Sequence, residues 1–256
     1  MTFEEFLERG RIQSKMLTYQ RKKDKALEVC AEQFASHKSP YLALSGGKDS
    51  VAMAFIVNEA AERCGKTFRI WSHISDASFP GTEETVREVA RRVNRPLDVF
   101  KPEFSAFDVV GEKQRQKFGK TGVFFSSIKE YAKDKDLSFV GVRAAESKRR
   151  MQAAKAHGMV FHSSIGDCDI VNPLQWFTLD DVSAALYEYG APIHPIYSKL
   201  SVDTGANSNG EQIFIRLGYI TSKDLVDKGT AVFLRINYPD KFSKLAEAFP
   251  EIRNFV

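Results

Sequence analysis

Two adjacent glycines, Gly46 and Gly47, lie between a short apolar run, Tyr41 to Leu44, and a helix-forming segment that begins near Val51. Glycines at such a junction allow the backbone to turn tightly, so that successive N–H groups point at one anion. The helix that follows adds the positive end of its dipole at the same place. The segment therefore predicts a strand, a loop that binds phosphate or sulfate, and a helix.

The residue spacing separates this loop from two familiar phosphate-binding loops. Both the Walker spacing Gly-x-x-x-x-Gly-Lys-Ser/Thr and the spacing Gly-x-Gly-x-x-Gly are missing. Lys48 offers a positive charge to a phosphoryl oxygen. Asp49 would repel an anion unless it caps the helix or holds a Mg²⁺ ion that also binds the phosphates. Asp49 is thus the candidate metal ligand.

Strands and helices alternate after the loop. Strands are predicted at 41–44, 68–74, 97–100 and 138–142, and helices at 51–63, from 82 onward, at 144–157 and at 178–189. This alternation predicts an α/β fold whose parallel sheet has helices on both faces and binds ligands at the carboxyl ends of its strands. Arg143 and Arg150 fall at that edge, and their guanidinium groups suit phosphate or sulfate. Glu146 could instead pair with either arginine.

The two ends of the chain are predicted to be helical. Thr2 and Glu5 match a capping box, so residues 1–39 form an N-terminal helical extension of one long helix, or of two helices loosened at Gly10. Residues 40–197 form the sheet domain. Residues 198–256 form a C-terminal helical subdomain, with a polar loop at 201–210 and a final helix at 240–248. Trp176 is expected in the core.

Composition excludes several kinds of site. No run of about 18 apolar residues occurs, and the N-terminus MTFEEFLERGR lacks the basic start of a signal peptide, so we expect a cytoplasmic protein without membrane spans. The three cysteines, Cys30, Cys64 and Cys168, are far apart, which argues against a disulfide framework and a zinc site. A net charge of +4 favours anionic ligands without itself indicating nucleic acid.

One basic stretch has three interpretations. It consists of Lys113, Arg115, Lys117 and Lys120, with Phe118, Phe124 and Phe125 nearby. A basic lid over phosphates and a nucleic-acid patch are both compatible with this composition. A solvated helix and loop is the favoured interpretation.

Four motifs in order resemble a known family. The segment Ser45-Gly-Gly-Lys-Asp-Ser50 matches the S-G-G-x-D-S signature of the PP-loop superfamily, which has the adenine nucleotide alpha-hydrolase-like fold and includes ATP pyrophosphatases. Three later segments, at 76–85, 141–150 and 172–197, are similar to motifs of phosphoadenylylsulfate (PAPS) reductases, enzymes of sulfur metabolism. Ala77 and Ser78 depart from the D-T-G pattern of the first of these.

The resemblance and the arguments above together select twelve site residues. Those expected to bind the nucleotide are Ser45, Gly46, Gly47, Ser50, Asp76, Gly141, Glu146 and Ser147. Those expected to take part in catalysis are Lys48, Asp49, Arg143 and Arg150.

One segment of the PAPS reductases is missing from this chain. Those enzymes carry a catalytic cysteine in a C-terminal E-C-G-[LI]-H segment, and some have paired cysteines for an iron–sulfur cluster, whereas this sequence has no cysteine after Cys168. Reductive cleavage requires a thiolate. Asp167 and Asp169 flank Cys168 and would raise its pKa, which makes the thiol less reactive. Because the paired cysteines are missing, we expect no iron–sulfur cluster.

The favoured function is that of an ATP pyrophosphatase. It would bind ATP with Mg²⁺, cleave between the α- and β-phosphates, and transfer the adenylyl group to an acceptor as pyrophosphate leaves. A PAPS or APS reductase that uses Cys168 or the thiol of a partner protein is one alternative. A non-catalytic nucleotide-binding subunit is another. A partner protein that supplies the acceptor, and a homodimer, are also compatible with the sequence.

Overall fold

The order of the six strands across the sheet differs from their order in the chain. A computed structural model describes residues 2–103, 122–199, 230–248 and 250–255. The strands are β1 (Pro40–Ala43), β2 (Arg69–His73), β3 (Leu97–Phe100), β4 (Leu137–Phe139), β5 (Val160–Ser163) and β6 (Cys168–Val171). They are arranged as β3-β2-β1-β4-β6-β5. The strand order therefore reverses between β1 and β4, which is where open α/β sheets bind ligands.

Helices cover the sheet, and further helices precede its first strand and follow its last strand in the chain. The described α-helices are α1 (Phe3–Gln13), α2 (Leu17–Ser36), α3 (Lys48–Arg63), α4 (Thr82–Arg92), α5 (Gly122–Ala132), α6 (Lys148–His157), α7 (Leu179–Glu188), α8 (Thr230–Asn237) and α9 (Pro239–Ala248). Short 3-10 helices lie at Ala144–Glu146, Pro195–Ser198 and Pro250–Phe255. No helix within these described ranges is both long and apolar enough to cross a membrane.

The predicted α/β fold is confirmed, with one correction to the sheet. Strands β1 to β4 and β6 are parallel, but β5 runs antiparallel to β6, with Phe161 opposite Ile170. The connection from β5 to β6 is a turn of four residues, which is long enough only for an antiparallel pair. The sheet is therefore mixed, and β5 forms one of its edges.

Two helices precede the sheet, and the break between them is not at Gly10. The predicted capping box is present, because the Glu5 amide donates to Thr2 Oγ1 (3.1 Å) and the Thr2 amide donates to Glu5 Oε2 (2.6 Å). Gly10 lies inside α1, where a Cβ atom would come within 2.4 Å of the Ser183 carbonyl oxygen on α7. Close packing of α1 on α7, rather than a loosened helix, therefore requires this glycine.

The segment after β4 begins its helix later than predicted. Residues Ala144–Glu146 form a 3-10 turn, and Ser147 has an extended backbone as the N-cap of α6. Its hydroxyl accepts a hydrogen bond from the Arg150 amide (3.2 Å). A serine hydroxyl satisfies a free helix amide in this way, which explains why α6 begins at Lys148.

The two faces of the sheet are packed differently. The main core joins Phe6 from α1, Leu42 from β1 and Leu245 from α9 in one continuous apolar cluster. Tyr41 and Trp71 belong to a second, smaller cluster with Ala132 and Cys168, on the face opposite Leu42. Side chains alternate between faces along a strand, so adjacent residues of β1 contribute to separate clusters.

Several further sequence predictions are untested or wrong. The polar loop at 201–210 and the basic residues Lys113 to Lys120 with Phe118 lie outside the described residues. Trp176 was expected in the core, but it is 44% exposed. The boundaries predicted after residues 39 and 197 stay predictions.

Candidate functional site

The loop between β1 and α3 has the tight turn that its glycines predict. Gly46 has a φ of +78°, and α3 begins at Lys48 with Gly47 as its N-cap. Hydroxyl oxygens accept hydrogen bonds from three loop amides: Ser50 Oγ from Ser45 (3.2 Å), Ser45 Oγ from Gly47 (3.3 Å) and the Tyr197 hydroxyl from Lys48 (3.0 Å). Each of these amides is therefore already directed at an oxygen atom.

Lys48, Asp49 and Arg143 form a charge cluster beside the loop. Asp49 Oδ2 accepts a hydrogen bond from Lys48 Nζ (2.6 Å), and Asp49 Oδ1 accepts one from Arg143 Nε (2.6 Å). Burial favours a raised pKa for Asp49, but the charges of Lys48 and Arg143 outweigh it and hold this pKa below its usual value. Two cations and one carboxylate leave the cluster with one net positive charge at neutral pH.

The predicted role of Asp49 as a Mg²⁺ ligand fits this arrangement poorly. Mg²⁺ at a nucleotide site is held by one or two carboxylates together with the phosphates. Both Asp49 oxygens already accept bonds from cationic groups, and Lys48 and Arg143 would repel a third cation. The carboxylate is better suited to orient those two side chains.

The segment after β4 brings another arginine to the same place. Glu146 accepts a hydrogen bond from the Arg143 amide (3.2 Å) and forms an ion pair with Arg150. Gly141 passes close to the start of α3, where a Cβ atom would lie 3.1 Å from the Ser50 Cα. The loop and the Gly141–Arg150 segment therefore form one surface.

Eight of the twelve predicted site residues line a single cavity of about 580 Å³. They are Ser45, Gly47, Lys48, Asp49, Ser50, Gly141, Glu146 and Arg150. Arg143 is connected to it through Asp49, while Ser147 caps α6 and Gly46 lies close to Thr82. This volume lies in the range of about 300–1,000 Å³ that is typical of small-molecule sites.

Asp76 is the predicted residue that the structure places elsewhere. It does not line the cavity, and its carbonyl oxygen accepts a hydrogen bond from Lys241 of α9. The segment 76–85 instead packs against the Pro195 turn, where a Cβ atom on Gly81 would come within 2.4 Å of Pro195 Cγ. The segments 76–85 and 172–197 therefore pack against each other beside the cavity.

His194 joins those two motifs. Its Nδ1 accepts a hydrogen bond from the Ile196 amide (3.1 Å), so Nε2 carries the proton and donates to Thr82 Oγ1 (3.0 Å). Burial lowers the pKa of His194 to about 4, because the uncharged ring is favoured in the interior. His194 is thus a neutral structural link rather than an acid or base.

The apolar part of the cavity could not be predicted from the sequence. The remaining lining includes Tyr41, Ala43, Trp71, His73, Phe124, Ile128, Ser138, Cys168, Ile170 and Tyr197. Strand alternation offered a signal for Tyr41 and Ala43, which lie on one face of β1. No local pattern indicated that α5 would cover this face. Tyr197 stood inside a quoted motif, but its bond to the Lys48 amide spans 149 residues of sequence.

Cys168 lies in the cavity wall and is buried. Burial raises the pKa of its thiol, and the charges of Asp169, Asp136 and Asp167 raise this pKa further. The direction agrees with the sequence analysis, although burial has a larger effect than the flanking carboxylates. A thiolate is therefore disfavoured at this position.

A family model provides the broadest comparison. The model described as the phosphoadenosine phosphosulfate reductase domain matches residues 39–223. That range covers more than half of the chain and includes the loop, the Gly141–Arg150 segment and Tyr197. No match was found among curated proteins.

Solved structures share the fold at low identity. A phosphoadenylyl-sulfate (PAPS) reductase from Candida auris, in complex with phosphate, has a TM-score of 0.50 and 15% identity, over 77% of this chain and 91% of that chain. Candida glabrata FMN adenylyltransferase, in complex with FMN and an ATP analogue, has a TM-score of 0.53 and 11% identity, over 76% and 67%. The U34-tRNA thiolase NcsA from Methanococcus maripaludis, with its 4Fe-4S cluster, has a TM-score of 0.50 and 13% identity, over 93% and 80%.

Proposed function

Because this chain belongs to the phosphoadenosine phosphosulfate reductase domain family, we propose that it is an enzyme that binds ATP at the loop of Ser45 to Lys48. The observation that carries the proposal is the joint position of this loop, Lys48 and Arg150 on one cavity at the end of β1. Oriented amides at a helix N-terminus and nearby cations favour a phosphate chain. The adenylyltransferase that shares this fold was solved with an ATP analogue.

Phosphate binding proceeds by exchange of hydrogen-bond acceptors. In the structure, the amides of Ser45, Gly47 and Lys48 donate to hydroxyl oxygens. A phosphate oxygen carries more negative charge than a hydroxyl and forms stronger hydrogen bonds with the same amides. The loop does not need to refold to receive the ligand, so little ordering opposes binding.

The proposed reaction is adenylyl transfer. An oxygen atom of the acceptor forms a bond to the α-phosphorus, while the bond from that phosphorus to the α–β bridging oxygen breaks. Pyrophosphate leaves with the bridging oxygen, and the acceptor proton passes to solvent. Lys48 and the loop amides stabilise the charge on pyrophosphate, and Arg150 offsets charge elsewhere on the phosphates. Asp49 orients Lys48 and Arg143, and no step depends on a metal held by Asp49.

The Gly47→Asp variant tests the loop assignment. Gly47 has a φ of −74°, which any residue adopts, so the variant is expected to fold. Its carboxylate would stand where phosphate binds, and we expect the affinity for ATP and for pyrophosphate to fall at least about tenfold, or about 1.4 kcal/mol. Isothermal titration calorimetry measures both.

The control for this experiment is Ala153→Asp, which adds the same carboxylate on the exposed face of α6. It should bind ATP as the unmodified protein does. A folded Gly47→Asp protein with unchanged affinity for ATP would contradict the loop assignment.

The reductase alternative has one observation in its favour, because Cys168 lines the same cavity. Incubation with ATP, PAPS and APS separately, each with a thiol donor, distinguishes the functions by their products. We expect pyrophosphate from ATP in the presence of an acceptor, and no sulfite from PAPS or APS. Sulfite release that Cys168→Ser abolishes would favour the reductase, and ATP binding without any turnover would favour a nucleotide-binding subunit.

A further inference from the structure

The cavity has a second end that the phosphate loop does not use. Beyond Lys48 it continues between the sheet and α5, and we name this part the apolar slot. It is lined by Tyr41, Trp71, Phe124, Ile128, Cys168 and Ile170. The slot therefore lies on the sheet face of the smaller apolar cluster, opposite the main core.

Small side chains on the two central strands create this slot. Ala43 of β1 lies beside Trp71 of β2, and Ser138 of β4 lies between Tyr41 and Ile170. Because Ala43 and Ser138 have small side chains, they leave empty volume in the middle of this sheet face. Larger side chains surround that volume. The empty volume is thus set by residues on rigid strands, which makes it a preformed site rather than a gap in a loop.

The slot is uncharged. Burial lowers the pKa of His73, so its ring is neutral at pH 7. Burial and nearby carboxylates raise the pKa of Cys168, so its thiol is also neutral. The cations Lys48 and Arg150 lie at the loop end of the cavity. A ligand portion without charge and with aromatic faces therefore suits this lining.

The slot runs away from the phosphate loop along the strands. Ile170 of β6 is level with Ser138 and, through it, with Tyr41 of β1. Cys168 comes two residues before Ile170, so its level in the sheet is two residues before Tyr41. Ser45 comes four residues after Tyr41. Six residues therefore separate the levels of Cys168 and Ser45. At a rise of about 3.3 Å per residue, the cavity extends about 20 Å from the loop to Cys168.

We propose that the apolar slot binds an uncharged aromatic ring of the acceptor molecule, next to the nucleotide. This inference rests on the proposed adenylyl transfer. In that reaction the acceptor oxygen attacks the α-phosphorus as the bond to the bridging oxygen breaks, so the acceptor must share a cavity with the phosphates. A ring beside Trp71 and Ile128, which both line the cavity, would have its substituent toward the loop, where the phosphates are proposed to bind.

The test uses 2-naphthol as a neutral aromatic probe, measured by isothermal titration calorimetry. We expect 2-naphthol to bind at one site. Ser138→Leu fills the slot from the sheet and Ile128→Trp fills it from α5. Each should weaken 2-naphthol at least about tenfold and leave the affinity for pyrophosphate within about twofold.

Ala156→Leu, which adds similar volume on the exposed face of α6, is the control and should bind the probe normally. Thermal unfolding of every variant shows whether it is folded, and two filling variants are used so that one unfolded protein does not prevent the test. Saturating ATP should leave 2-naphthol binding within about twofold.

Unchanged 2-naphthol binding in a folded slot-filled variant would overturn the inference. Displacement of 2-naphthol by ATP would also overturn it, because the slot would then hold the nucleotide base. ATP binding by the unmodified protein is measured in the same series. Failure of the proposed function, seen as no ATP binding, is thereby distinguished from failure of the slot assignment, seen as no 2-naphthol binding.

Discussion

The Asp49 carboxylate offsets part of the positive charge of Lys48 and Arg143, because it lies between them and bonds to both. Arg143 is 4% exposed, and a buried guanidinium without a carboxylate is strongly unfavourable. The aspartate in the S-G-G-x-D-S signature therefore serves the two cations next to it. From the sequence alone, Asp49 is an unfavourable charge beside an anion, and in the structure Lys48 and Arg143 offset this charge.

Asp49→Asn should destabilise the protein although it conserves shape. The substitution leaves Arg143 and Lys48 without their shared acceptor charge, and breaking a buried ion pair typically costs about 3–5 kcal/mol. Urea unfolding at pH 7 measures the loss. The control Asp98→Asn breaks the more exposed pair with Arg69 and should cost about 1 kcal/mol or less. Equal losses for the two variants would contradict the buried-pair assignment.

The same substitution has a defined pH dependence. Because the pKa of Asp49 is lowered on folding, its contribution to stability is present above its unfolded value of 3.8 and is lost as the pH falls through the folded pKa. The stability difference between the unmodified protein and Asp49→Asn should thus be constant between about pH 5 and 8 and shrink in acid.

If phosphate binds at the loop as we propose, the Tyr197 hydroxyl competes with it for the Lys48 amide. Tyr197→Phe removes the hydroxyl that accepts this amide's hydrogen bond and keeps the ring that stacks on Phe3. We expect the ligand-free protein to lose about 1–3 kcal/mol of stability, since the amide is left without an acceptor. Bound pyrophosphate supplies a new acceptor, so its apparent affinity should rise. Calorimetry and thermal unfolding measure the two effects, and a weaker affinity for pyrophosphate would contradict this competition.

Among the secondary-structure elements, α1 and α7 depend on one glycine. Gly10→Ala would place a Cβ atom 2.4 Å from the Ser183 carbonyl oxygen, which cannot move without displacing α7. We expect a loss of about 1–3 kcal/mol from this overpacking, measured by urea unfolding. Glu4→Ala, on the exposed side of α1, should cost less than about 1 kcal/mol. A Gly10→Ala protein as stable as the unmodified one would show that the helices separate without cost.

The elements that could be predicted from sequence are those with a local signal. Thr2 and Glu5 marked the start of α1, and Thr82 opened α4 as expected. The apolar run Leu97–Phe100 became β3 with its predicted bounds. In each case the residues that define the element lie within it, so tertiary contacts were not needed.

The features that were missed lack a clear local signal. β6 has the sequence Cys-Asp-Ile-Val, whose acidic residue weakens the strand pattern, and it pairs with β5 through a short turn and with β4, which comes earlier in the chain. Trp176 was assigned to the core because large aromatic residues bury well, but its position is set by the turn before α7. Its 44% exposure has no local signature.

For the molecule as a whole, the polar end of the site could be predicted and the apolar end could not. The proposed phosphate contacts come from short motifs, and eight of the site residues predicted from those motifs line the cavity. The slot arises where four strands and α5 meet, and its central residues Ala43 and Ser138 are small. Small residues such as these give no recognisable sequence pattern, because their effect is to leave space in the folded protein.

The positions of the two tryptophans offer a built-in optical reporter. Trp71 is 3% exposed in the wall of the slot, whereas Trp176 is largely at the surface, and the sequence contains no third tryptophan. Trp176→Phe leaves Trp71 as the single indole emitter. Its ultraviolet emission should then report occupancy of the slot, so unlabelled compounds can be screened as candidate acceptors without any assumption about turnover.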